Sequence, residues 1–162
     1  MGTLLEEAQI LNPNGMVELF KIDFTTRLAT GGSGPSIVYY TNENGTVTYD
    51  GQSYSNTSIE FIPAAIEHSN AVPKSRLMIW GQETDVLDAI NSYGKIKGTT
   101  ITYTLTHIKF LDDGTDPQPT QNIAETYFVE SILELNKSKI EIEITPALGL
   151  DKVTEPALRT IV

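Results

Sequence analysis

The chain has 162 residues, 40% of them hydrophobic, no cysteine, and a formal charge of −10 from 11 basic and 21 acidic side chains. That length suits one domain around a single core, and the missing cysteines exclude disulfides, thiolate metal sites, cysteine-held iron–sulfur clusters and a cysteine nucleophile. The acidic balance repels phosphate backbones and argues against specific nucleic-acid binding, and no run approaches the roughly 18 apolar residues of a membrane span.

The opening, Met1-Gly2-Thr3-Leu4-Leu5-Glu6-Glu7, lacks the basic region and apolar stretch of a secretory signal, so the chain is expected to stay in the cytosol or be assembled there into something larger. Thr3 and Glu6 form a capping box for a short helix over roughly 4–11, stopped by Asn12-Pro13-Asn14-Gly15. From Met16 the period becomes two. Val17 and Leu19 alternate with Phe20, Ile22 and Phe24, which predicts a strand partly covered on both faces. The stretch Gly31-Gly32-Ser33-Gly34-Pro35 has neither a phosphate-loop ending nor a nucleophile-elbow spacing, and it is read as a connector.

Ile37–Tyr40 predicts a strand, and Asn42-Glu43-Asn44-Gly45 a turn. Val47–Tyr54 is a hairpin about Asp50-Gly51, because both residues tolerate the positive φ that a tight hairpin turn requires. Strands are expected at 57–62 and 76–80. The segment 84–93 reads as the principal interior helix, with Val86, Leu87, Ile90 and Tyr93 on one face and Gly94 beyond its end. Strands at 99–106, 124–135 and 139–144 close the pattern, the last with Ile140, Ile142 and Ile144 inward and its glutamates outward. The fold class is therefore mainly β, an antiparallel barrel or sandwich with one principal interior helix and a short N-terminal one. Its divisions are an arm at 1–15, a β domain at 16–146 and an extension at 147–162. The ends and the glycine-rich loop at 31–34 lack a period that buries them on one domain, so neighbouring subunits are expected to order them.

The chemical candidates are few. His107 shares a strand face with Tyr103 and Leu105, which favours a hydrogen-bonded structural histidine. Glu67 and His68 are adjacent and point to opposite sides of an extended chain. Asp112-Asp113-Gly114-Thr115-Asp116 offers oxygen ligands for calcium but lacks the spacing and later glutamate of an EF-hand loop. Glu130, Glu134, Glu141 and Glu143 could supply a glycosidase pair, yet read as the solvent side of alternating strands. Trp80 alone is a thin platform for sugar stacking, and the Asn-x-Ser/Thr triplets at Asn44, Asn56 and Asn136 need secretion to matter. No catalytic, cofactor-binding or metal residue is assigned, and no cofactor.

The order of segments resembles the N-terminal domain of the minor tail protein L family of lambda-like siphophages. The likeness rests on Val17–Thr25, on the Val47–Tyr54 hairpin with Ile59 after it, and on Pro73–Trp80. It extends through the helix 84–93, Gly98-Thr99-Thr100-Ile101, Phe128–Ile132 and Lys139–Pro146. It spans roughly 16–150 and lacks the cysteine-rich C-terminal domain with its iron–sulfur cluster. It implies a non-enzymatic structural virion protein at the tail tip, a baseplate hub component linking the distal tail ring to the hub or receptor-binding apparatus. The implied partners are copies of itself, a trimer in preference to a hexamer, together with the distal tail protein and the central hub or fibre protein. The loops at 27–36 and 111–122 and both ends would make those contacts. The alternatives are a distal tail ring subunit and, outside virions, a carbohydrate-binding module or a small hydrolase.

Overall fold

The structure is a computed structural model that describes residues 15–25, 36–64, 74–80, 84–93, 96–136 and 138–147. The expected helix at 4–11, the stretch 31–34, Glu67, His68 and the tail beyond 147 lie outside the described residues.

The alternating segments form β1 (Met16–Asp23), β2 (Ile37–Thr41), β3 (Val47–Tyr49), β4 (Gln52–Asn56), β5 (Ile59–Ile62), β6 (Ser75–Trp80), β7 (Thr100–His107), β8 (Ile123–Leu135) and β9 (Lys139–Pro146). They make one sheet of order β3-β4-β2-β1-β7-β8-β9-β6-β5. The protein is mainly β, as its sequence pattern predicts. Every neighbouring pair is antiparallel except β2 and β4, which run parallel through Tyr40–Ser55 and Thr41–Asn56. Residues 42–51 between them make this parallel return, carrying β3 and the turn of the β3–β4 hairpin. Its turn has Asp50 at φ 52° and Gly51 at φ 77°, positive at both central positions as a type I′ turn demands.

The sheet folds back on itself. Phe61 of β5, at one end of the strand order, packs on Tyr103 and Tyr127 of the central strands β7 and β8. Residues 57–58 tie the layers together, with Thr57 N–H donating to Thr41 and Trp80 N–H to Ser58. Between the layers lies the main core, built from Phe20, Ile22, Phe24, Leu77, Ile79, Ile101, Val129 and the β9 isoleucines 140, 142 and 144. Helix α1 (Thr84–Tyr93) adds Val86, Ala89 and Ile90 to it, and Tyr93 packs on Phe24 with ring centroids 5.9 Å apart. Each fully buried valine, leucine, isoleucine or phenylalanine of this core contributes about 1.5–3 kcal/mol.

Strand β1 is covered on both faces because it serves two cores. Phe20 and Ile22 point into the main one, whereas Val17 and Leu19 meet Val47, Tyr49, Phe110 and Leu111 in a second. The β3–β4 hairpin and a 3₁₀ turn at Ile108–Phe110 form the roof of that second core.

Candidate functional site

His107 is buried, and its Nδ1 accepts the Lys109 N–H at 3.1 Å, capping the 3₁₀ turn. That bond assigns the ring proton to Nε2. Phe110 lies against the ring with centroids 6.1 Å apart. Gly15 lies so close that a Cβ there would come within 2.3 Å of Nε2. This histidine is a packed structural residue, as its strand position suggests.

The acidic loop after the 3₁₀ turn is also structural. Asp112 Oδ1 accepts the Asp50 N–H and Oδ2 the Gly51 N–H, each at 2.8 Å, while Asp112 N–H donates to Thr48 at 3.0 Å. One carboxylate therefore satisfies both amides of the hairpin turn. Asp116 turns elsewhere, accepting from the Gln118 side chain at 2.7 Å, and its N–H donates to Lys109. Gly114 sits where a Cβ would fall 2.4 Å from the Lys109 carbonyl, so the loop can close only on glycine. The Tyr49 hydroxyl lies 3.2 Å from Gln118 O and 3.5 Å from Gln121 O, and it accepts from Asn122 at 3.1 Å. The protein's own β3–β4 hairpin thus fixes the shape of the 111–122 loop, whose outward contacts with neighbouring subunits stay a proposal. Among the described residues no group of three or more histidines or carboxylates could hold a metal.

The glutamates form a ladder on the outer face of β6, β9 and β8. Lys74 pairs with Glu143 at 3.4 Å and Arg76 with Glu141 at 2.9 Å. Lys139 lies 2.9 Å from Glu134 and 3.6 Å from Glu141. The Glu134 hydrogen bond is the largest influence on the Lys139 ammonium and, together with the charges of Glu134 and Glu141, it raises the pKa in spite of the opposing desolvation. Glu141 is only 8% exposed, so its reading as a solvent-side residue needs correcting. The long side chains of Arg76 and Lys139 cover it. These carboxylates are committed to cations rather than facing each other across a cleft.

The remaining surface is apolar at particular places. Ile123, Phe128, Leu133 and Leu135 of β8 are exposed, with Trp80 and Ile108 elsewhere. β8 is the longest strand and has two irregularities, at 129–131 and 132–134. Its first part pairs with β7 and its last part with β9, so each end has one edge that these neighbours leave unpaired. Unpaired edges with exposed apolar side chains are where other chains add.

No protein-family model and no curated protein matches the sequence. Among solved structures, a chain from "Virion of native gene transfer agent (GTA) particle" superposes with a TM-score of 0.58 at 10% identity over 88% of this chain. The likeness shows a shared fold. The matched region amounts to 44% of that larger chain.

Proposed function

We propose that this chain is a structural protein of a phage-like virion, placed at the tail tip as a baseplate hub component between the distal tail ring and the hub or receptor-binding apparatus. The observation that carries the reading is the fold shared with a chain of the gene transfer agent virion across 88% of this chain. The order of segments in the sequence points the same way. The described polar candidates add support, because His107, Asp112, Asp116, Glu134, Glu141 and Glu143 are engaged in hydrogen bonds or ion pairs that stabilise the fold. In this reading the protein is non-enzymatic, assembles with copies of itself, a trimer before a hexamer, and contacts the distal tail and central hub or fibre proteins. The apolar positions of β8 are its natural contact surface.

The test is deletion of the gene from the genome that encodes it, followed by electron microscopy and infection assays of the particles. The reading expects particles with missing or incomplete tails that regain infectivity when the protein is supplied from a plasmid. Normal tails and full infectivity without it would refute the reading.

A further inference from the structure

Where β5 packs over β7 and β8 lies a side-chain cluster that none of the roles above uses. Phe61 meets Tyr103 with ring centroids 4.7 Å apart and Tyr127 at 5.3 Å, while Phe20 backs Tyr103 edge-on at 5.3 Å. Each tyrosine hydroxyl donates to a carboxylate, Tyr103 to Glu18 Oε1 at 2.9 Å and Tyr127 to Glu125 Oε2. Asn42 donates to the other oxygen of Glu18 at 2.7 Å. Burial first, and then the neighbouring carboxylates, push both tyrosine hydroxyls above their ordinary pKa.

Glu125 is exposed and Phe61, Tyr103 and Glu18 are half-buried, so solvent reaches these four, whereas Tyr127 is buried behind them in the main core. Its electrostatics have one sign. Two carboxylates flank aromatic faces that are themselves the negative side of a quadrupole. Glu134, Glu141 and Glu143 each have a cation, but no lysine or arginine pairs with Glu18 or Glu125 among the described residues. The hydroxyl and amide donors fix the direction of the carboxylates without neutralising them.

We propose that Glu18, Phe61, Tyr103 and Glu125 form a receptor for an arginine side chain presented by a neighbouring protein, with buried Tyr127 holding Glu125 through its hydroxyl. A guanidinium is planar, weakly hydrated, packs on aromatic rings and offers forked donors to carboxylates, which matches the half-buried rings of Phe61 and Tyr103 with a carboxylate on either side. Charge complementarity argues for a cationic partner, and the aromatic array selects guanidinium over a compact, strongly hydrated ammonium. Asn42 is a positioning residue that holds Glu18.

The test uses the intact protein and the probe acetyl-Gly-Arg-Gly-amide, with the citrulline tripeptide as its neutral isostere, followed by NMR of the aromatic side chains. The expected result is saturable shifts of the Phe61 and Tyr103 rings with the arginine peptide and none with the citrulline peptide. Glu125→Gln should weaken binding about tenfold. Equal shifts from both peptides, no saturable shift, or unchanged affinity in Glu125→Gln would overturn the proposal. The peptide comparison needs only the wild-type protein, so it stands even if the variant fails to fold. The particle experiment is insensitive to this result, so the two proposals can fail separately.

Discussion

Asp112 and Gly51 are 61 residues apart in sequence, yet the Asp112 carboxylate accepts the Gly51 amide at 2.8 Å. The same carboxylate takes the Asp50 amide, so a surface loop and a hairpin turn are locked together over the second core. Replacing Asp112 by alanine leaves both turn amides to solvent and loses two charge-assisted bonds, an expected cost of about 1–2 kcal/mol at this exposed site. Asp112→Asn keeps one acceptor and should cost less. Urea unfolding of the two variants measures the difference, and equal stability to wild type would show that the lock contributes nothing.

Helix α1 gives a sharper contrast. Val86 is 1% exposed within the main core, so Val86→Asp should destabilise the protein by more than about 3 kcal/mol by burying an unpaired charge. Asp88, on the exposed side of the same helix, should accept alanine with a change within about 0.5 kcal/mol. Equal effects would mean the helix docks by another face.

Much of the architecture was legible because periodicity is a local signal. The β9 isoleucines, the two-sided alternation of β1 and the Asp50-Gly51 turn fall where their spacing places them, and so do Val86, Ile90 and Tyr93 of α1, although Ala89 rather than the expected Leu87 completes the helix's core face. What escaped depends on distant partners. The parallel return of β4 beside β2, the capture of residues 111–122 by the hairpin, and the packing of Phe61 against Tyr103 and Tyr127 leave no periodic trace. Glu141 was misread for the same reason: alternation puts it on the outer face, but only the arrival of Arg76 and Lys139 beside it removes it from water.

That burial makes the glutamates of the ladder unequal. Glu141→Gln should cost about 1 kcal/mol, because it removes the charge facing both Arg76 and Lys139, and the loss should shrink at high salt. Glu134→Gln, at a more exposed carboxylate with Lys139 as its partner, should cost only a few tenths of that, roughly 0.3 kcal/mol. Thermal melts at low and high ionic strength separate the two.

Alkaline pH should unfold the protein through its tyrosines. Burial first, then Tyr39, Asp50 and Tyr49, push the Tyr54 hydroxyl up to about 12, and Tyr103 and Tyr127 move in the same direction. An unfolded tyrosine ionises near pH 10, or about two units lower than folded Tyr54. The native state therefore holds these protons more tightly. The associated stability is whole below about pH 10 and is lost as pH rises towards 12. Phenolate absorbance should show a subset of the seven tyrosines titrating late, together with loss of the β circular dichroism signal. A single titration of all seven near pH 10 in folded protein would contradict the burial described here.

The central claim is a place in a virion tail, and a cryo-electron microscopy map of the tail tip of purified particles tests it most directly. The account predicts density into which this nine-stranded fold fits at the junction between the tail tube and the hub, in copies related by the tip's rotational symmetry, with β8 against a neighbouring subunit. A well-resolved tip in which no density accepts the fold would contradict it.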